Sequence, residues 1–314
     1  MIELQNIYKS YGHVLAVNNV NFSVKSGEVL GFLGPNGAGK TTTIKMIAGY
    51  FMPTKGKVLI AGMDAFQNSL EAKKRIGYLP EGAPAYEDMT PQSYLSFIAD
   101  IRNIHGIKKA ERIEYAVEQT CLTDVFYQPI ETLSKGYKRR LGLAQAILHD
   151  PDILLLDEPT DGLDPNQKFE VRSLIQKLSK TKAILVSTHI LEEVEAVCNR
   201  ALIINKGQII ADGTPDSLLK QSPLYNKVII LFDSQKLSQT TVKKIIAELM
   251  ELEEISEVAF DKQSNELHIY PNKSEKIVSK LKTVAKCKAW PISKIYINTP
   301  RLDDTFRYLT TQNS

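Results

Sequence analysis

Cysteine is scarce in this sequence. There are three in 314 residues, Cys121, Cys198 and Cys287, far apart and odd in number. That excludes a disulfide framework, and no pair has metal-ligand spacing. Small buried thiols in a reducing compartment are the expectation. Long apolar runs are also missing: none approaches the roughly 20 residues needed to cross a bilayer. Met1-Ile2-Glu3-Leu4-Gln5 places an acid at the third position with no apolar stretch behind it, unlike an ordinary secretory signal. The chain is therefore expected to be soluble and cytoplasmic, and any membrane role needs a partner that supplies the spans. An excess of one charge is lacking as well. A net charge of +3 argues neither for a nucleic-acid coat nor for an acidic tail.

What is present is enough apolar material, 43% of the residues, for a packed core, and a length that suits two domains. From residue 1 to about 220, short β-branched runs alternate with longer helical ones, as in an α/β domain. Strands are expected over 2–8, 20–24, 28–33, 58–60, 76–79, 153–156, 183–187, 201–204 and 208–211. Lys206-Gly207 marks a hairpin turn between the last two. A helix is expected over 40–49. Residues 91–104 and 110–120 read as two helices that interrupt the α/β rhythm, followed by another over 136–148. They outline an inserted helical subdomain at about 88–150.

Ser222-Pro223, within 218–226, suggests a boundary. Beyond it the order changes to strand 227–232, helix 240–252, strands 255–260 and 266–270, helix 274–285, strand 292–297 and helix 302–309. This is the order of a split-βαβ, ferredoxin-like unit, expected over 221–314. Lys273, Lys276, Lys280, Lys282, Lys286 and Lys288 crowd one stretch, opposed nearby only by Glu275, and read as a solvated helix face. No residue of this second domain looks catalytic.

Chemistry is carried by two motifs. Gly34-Pro35-Asn36-Gly37-Ala38-Gly39-Lys40-Thr41 fits the phosphate-binding pattern G-x-x-x-x-G-K-[ST], between an expected strand and an expected helix. Glycines let the backbone wrap closely around phosphate oxygens. Main-chain amides and the helix N-terminus then supply partial positive charge, with Thr42 in the same turn. Lys40 is expected to reach the β- and γ-phosphates, and Thr41 to bind Mg²⁺. The second motif, Ile153-Leu154-Leu155-Leu156-Asp157-Glu158, delivers two acids at the end of an apolar strand, where α/β sheets bind ligands. Asp157 would hold Mg²⁺ through water, and Glu158 would polarise the attacking water as general base. Together they point to a P-loop NTPase, a description that fits many families.

Further segments narrow the choice. Leu133-Ser134-Lys135-Gly136-Tyr137 resembles the signature sequence L-S-G-G-Q of ABC (ATP-binding cassette) ATPases. Ser134 and Gly136 match; Lys135 and Tyr137 depart. A serine hydroxyl and helix-start amides still suit a phosphate. Gly162-Leu163-Asp164-Pro165 resembles the D-loop, and Ser187-Thr188-His189 the switch-histidine motif. Tyr11 stands where the family places an adenine-stacking aromatic. Ile76-Gly77-Tyr78-Leu79-Pro80-Glu81 resembles the segment that ends in the Q-loop glutamine, but Glu81 replaces it. A carboxylate can also ligate Mg²⁺. Lys138-Arg139-Arg140, just after the signature, is expected to face solvent or a partner's ATP site.

The resemblance covers about residues 2–220. Ala16-Val17, Gly27-Glu28-Val29 and Leu33-Gly34-Pro35-Asn36-Gly37 fit ATPases of the type-two exporter class, and Arg301-Leu302-Asp303-Asp304-Thr305-Phe306 resembles the close of the short extension those members carry. The resemblance implies an ATPase on the inner face of the cell membrane that drives a separate permease. Two such subunits, alike or different, would sandwich ATP. One gives the phosphate loop, Asp157, Glu158 and His189, with His189 on the γ-phosphate; the other gives Ser134 and Gly136. The helical insert and residues 81–94 would accept the permease. A soluble ABC ATPase acting on ribosomes or DNA is the alternative, but the chain has one cassette and no heptad array, and no nucleic-acid partner is expected.

Overall fold

Strands buried on both faces belong at the centre of a parallel sheet with layers on either side. Val29–Leu33 and Ile153–Asp157 are buried at every position. The computed structural model describes residues 1–83, 85–233, 238–272, 277–298 and 300–312. They form two compact units, Met1–Pro215 and Asp216–Gln312.

The first unit opens with β1 (Ile2–Tyr11), β2 (Val14–Val24), β3 (Val29–Leu33), α1 (Lys40–Ile47), β4 (Lys55–Ile60), β5 (Met63–Asp64), α2 (Ser69–Lys74) and β6 (Ile76–Leu79). Then come the helices of the insert, α3 (Pro91–Ile101), α4 (Gly106–Gln119) and α5 (Lys135–Ile147). The chain returns through β7 (Ile153–Asp157), α6 (Pro165–Ser179), β8 (Ala183–Thr188), α7 (Leu191–Val197), β9 (Arg200–Asn205) and β10 (Gln208–Gly213). Helix α8 (Pro215–Leu219) spans the division between units.

Two sheets share one core. The first, in the order β2-β1-β4-β5, is antiparallel. The second runs β10-β9-β3-β8-β7-β6 and is parallel except for its edge strand β10. Ile2, Val58, Phe32, Ile44, Leu155 and Leu185 pack between them. Truncating Leu155 to alanine there would cost about 2–5 kcal/mol. Register puts Leu33 beside Thr188, Asp157 beside Ser187 and Leu79 beside Leu156. Four strands therefore end along one edge, where an α/β sheet binds its ligand.

Local chemistry fixes the helices. Thr90 caps α3 with Ser93 in a reciprocal box, and Asp164 caps α6 with Gln167 in the same way; each has proline at the first helical position,. Helix α5 lies on β6 closely enough that a Cβ at Gly142 would come within 2.6 Å of Leu79 Cδ1. The strands β1 and β2 are longer than the alternating pattern suggests, because Gly12 at φ 56° closes them into one hairpin. Helices α2, α6, α7 and α8 are additional to the elements expected from the sequence.

The second unit holds β11 (Val228–Phe232), α9 (Gln239–Met250), β12 (Ile255–Asp261), β13 (Glu266–Pro271), α10 (Val278–Cys287), β14 (Ile292–Ile297) and α11 (Leu302–Gln312). Its antiparallel sheet runs β12-β13-β11-β14, with Val228, Ile230, Leu249, Leu267, Ile269 and Leu281 in a core of its own. The expected lysine-rich face is partly neutralised across elements, since Lys280 pairs with Glu254 and Lys288 with Glu248. Lys273, Glu275 and Lys276 lie outside the described residues. The thiols also differ from expectation: Cys198 is buried, but Cys121 and Cys287 are exposed. Among the described residues, no helix is long and apolar enough to cross a membrane.

Candidate active site

The loop between β3 and α1 wraps back on itself because its backbone is tied at several points. Ala38 N–H donates to Pro35 O at 3.2 Å, and Gly207 N–H to Ala38 O at 2.9 Å. Gly39 has φ 106°, and a Cβ there would strike Ala16 O at 2.6 Å, so only glycine fits this bend. Helix α1 starts at Lys40 with no side-chain cap and no acid in its first turn. Its leading amides are left to a ligand rather than to a serine or aspartate. Pro35, Asn36 and Gly37 are exposed, Gly34, Ala38 and Gly39 are buried, and Lys40, Thr41 and Thr42 are half-buried. Lys40 Nζ donates to Gly34 O at 2.6 Å and to Pro35 O at 3.1 Å. Burial lowers the Lys40 ammonium pKa; Glu158, Asp157 and Glu81 act in the opposite sense.

Asp157 ends β7 with 2% of its surface exposed. Its Oδ1 accepts from the Ser187 hydroxyl on the adjacent strand β8. Its Oδ2 is buried and has no hydrogen-bonding partner. Burial raises this carboxyl above the ordinary range, the Ser187 bond lowers it, and the charges of Glu81 and Glu158 raise it further.

Glu158 turns out of the strand in the left-handed region, φ 52°. Its amide donates to Ser187 O at 3.0 Å. The carboxylate is fixed from two sides: Oε2 accepts from Thr188 Oγ1 at 3.2 Å, and Oε1 lies 2.8 Å from His189 Nδ1 and 3.1 Å from the His189 amide that donates to it. The imidazole itself is largely exposed. The switch-histidine segment thus grips both acids, through Ser187 to Asp157 and through Thr188 and His189 to Glu158.

Elsewhere the geometry is different. Ser134 caps α5, accepting from Tyr137 N–H at 3.3 Å, and Gly136 packs against Gln167. The Ser134 contact stays within the first turn of α5, and that of Gly136 is to the D-loop side. Lys135, the departure from the signature pattern, pairs with Asp161 at 2.7 Å. Tyr11 is exposed at the β1–β2 turn, its ring edge-on to Phe51 with centroids 6.3 Å apart and Lys9 Nζ 5.2 Å above it. Glu81 is exposed just past β6, and its charge acts on Lys40 and Asp157. Among the described residues, no three His, Cys, Asp or Glu side chains cluster to hold a metal on their own.

One expectation is overturned. Arg139 and Arg140 do not face solvent: they are 4% and 7% exposed. Arg139 donates to the carbonyls of Pro80, Asp157 and Glu158, while Arg140 pairs with Glu170 at 2.6 Å. Lys138 reaches Glu87 at 3.3 Å. Ser187, Thr188 and Arg139 all contact the acidic turn at Asp157 and Glu158. Their signal is the sheet order and register, which no linear spacing carries.

A family model described as ABC transporter matches residues 17–161. The "Linearmycin resistance ATP-binding protein LnrL" of Bacillus subtilis (strain 168) is 31% identical over 312 residues, 99% of this chain and 98% of that protein. The chain belongs to the ABC transporter family, among its ATP-binding proteins. Another relative is the "Probable multidrug ABC transporter ATP-binding protein YbhF" of Escherichia coli (strain K12), 38% identical over 226 residues, 71% of this chain. The matched part spans only 38% of that longer protein. A solved structure described as "Structure of ATP binding subunit of ABC transporter" superposes with a TM-score of 0.66 at 29% identity, covering 70% of this chain and 92% of that one. The family match at residues 17–161 lies within the first unit, and the resemblance to LnrL covers 99% of the chain.

Proposed function

We propose that this chain hydrolyses ATP as the motor subunit of an ABC exporter. The observation that carries this reading is the held carboxylate of Glu158, fixed by Thr188 and His189 beside Asp157 and within electrostatic reach of Lys40. A water between Glu158 and a γ-phosphate at the α1 N-terminus would be polarised by that carboxylate. Lys40 and the α1 amides neutralise the phosphates, and His189 contacts the γ-phosphate from its exposed face. Tyr11, backed by Lys9 and Phe51, stacks the adenine.

The residues fit Mg²⁺. A buried carboxylate oxygen of Asp157 without a partner is an electrostatic liability unless a cation or its water faces it. Thr41 supplies a hydroxyl, and Glu81 lies on the same side as a further acid. When bound, Mg²⁺ neutralises phosphate charge.

Ser134 and Gly136 complete the ATP site of a second subunit, identical or different, so that ATP binding closes a dimer and loss of the γ-phosphate opens it. A groove of about 860 Å³ bordered by Tyr50, Leu70, Tyr78, Tyr94, Ile98 and Ile101 accepts a cytoplasmic helix of the permease. Tyr50, Leu70 and Ile101 are more than half exposed, a large apolar surface for a protein without a partner. The chain then works at the inner face of the membrane. Gentle solubilisation of membranes from cells making a tagged chain tests this. A polytopic membrane protein at near-equal stoichiometry supports the exporter reading; recovery with ribosomes or DNA overturns it.

A further inference from the structure

Helix α5 carries chemistry at two places. Its N-terminal end holds Ser134 and Gly136. One and a half turns on, Arg139 is buried and donates to backbone carbonyls of this chain's own acidic turn and of Pro80. Nε donates to Glu158 O at 2.9 Å, Nη1 to Pro80 O at 2.9 Å, and Nη2 to Asp157 O at 2.5 Å and to Glu158 O. The acceptors come from two loops. Asp157 and Glu158 form the end of β7, and Pro80 immediately precedes Glu81.

This is a demanding arrangement. Glu158 holds a left-handed backbone, which a residue with a Cβ adopts only where its surroundings impose it. The planar guanidinium supplies fixed donors in a fork that a lysine ammonium cannot reproduce. Burial lowers the Arg139 pKa, and Asp161, Asp157, Glu158 and Glu81 act in the opposite sense. Among the described residues, the hydrogen bonds of Arg139 all go to these two loops.

We propose that Arg139 is a positioning residue that couples two ATP sites: seating of the α5 N-terminus on the partner's nucleotide is transmitted through Arg139 to this chain's own Glu158 and Glu81 loops. The inference rests on the reading of Ser134 and Gly136 as contacts in trans. A 13-residue helix moves as a unit, so a shift at its first turn displaces the fork and the carbonyls it holds. Hydrolysis at one site then depends on occupancy of the other.

The test uses the full chain, wild type beside Arg139→Gln and Arg139→Lys. Three readouts are compared: ATP turnover against ATP concentration, nucleotide affinity in EDTA, and hydrogen exchange by peptide. Arg139→Gln is expected to lose about 10- to 100-fold in kcat, as loss of a supporting partner does. Its Hill coefficient falls from about two toward one, while nucleotide affinity holds. Exchange rises at residues 79–83 and 156–162 only. Arg139→Lys keeps the charge but restores neither the Hill coefficient nor the local protection. A wild-type Hill coefficient of one, or full rescue by lysine, overturns the coupling and leaves hydrolysis intact. Exchange raised throughout 1–215 in both variants reduces Arg139 to a structural residue and overturns it too. Wild type without turnover refutes the hydrolysis reading instead, and the exchange pattern still decides the place of Arg139.

Discussion

One carboxylate oxygen of Glu158 meets His189 twice, at the ring Nδ1 2.8 Å away and at the backbone amide 3.1 Å away. The amide contact fixes the carboxylate's position whatever the ring does. The ring contact ties the tautomer of His189 to the charge of Glu158: with Glu158 ionised, Nδ1 carries the proton and Nε2 faces outward as acceptor or, when protonated, donor. Acid and histidine therefore act as one unit.

Glu158→Gln keeps the shape of the side chain and removes the base. Turnover is expected to fall about 10²–10⁴-fold, with ATP affinity retained because the phosphate loop is untouched. A phosphate-release assay beside equilibrium nucleotide binding separates the two quantities.

Lys40→Ala removes the half-buried ammonium that faces three acids. Without it the phosphates meet Glu158, Asp157 and Glu81 uncompensated. Turnover should drop about 10²–10³-fold, and nucleotide affinity should drop with it, unlike in Glu158→Gln. Competition of unlabelled ATP against a fluorescent analogue reads this directly.

Asp157 predicts a gain in stability at the expense of function. Its native pKa is raised, chiefly by burial, so the folded state binds the proton more tightly than the unfolded one. The stability this contributes is present below the unfolded carboxylate pKa of about 3.9 and is lost as pH rises through the raised native value. At neutral pH the buried charge is destabilising in the absence of nucleotide. Asp157→Asn should therefore raise Tm at pH 7.5, show little gain near pH 3.5, and hydrolyse no ATP. Thermal melts at the two pH values provide the check.

His149 gives the opposite slope. Burial holds its pKa down to about 4, aided by Arg102, while Nε2 bonds Ile76 O at 3.1 Å. Unfolding lets it bind a proton near pH 6.5. Its stability contribution is full above that value and is lost as pH falls toward about 4, a loss on the order of 3 kcal/mol. His149→Gln should flatten the fall in denaturation midpoint between pH 6.5 and 4, at some cost in midpoint at pH 7.5.

Much of the site could be read in the sequence because its parts are contiguous. Glycine spacing fixes the phosphate loop locally, and an apolar run ending in Asp157-Glu158 fixes a buried strand. Lys206-Gly207 foretold a turn whose φ values are 46° and 79°, as a tight hairpin needs. What stayed hidden depends on distant partners. Arg139 looks solvated among Lys138 and Arg140 until Pro80, 59 residues away, supplies its acceptor. Helix α6, by contrast, carries its start signal in Asp164-Pro165 and Gln167, and Val171, Leu174, Ile175 and Leu178 are buried at helical spacing, so it was legible from the sequence. Lys280 finds Glu254 only across elements.

The central claim is that ATP joins two cassettes, each completing the other's site. Light scattering of Glu158→Gln in Mg²⁺ with ATP, then with ADP, tests it most directly. The account predicts twice the mass of the chain with ATP and the single-chain mass with ADP. A single-chain mass in saturating ATP would contradict it.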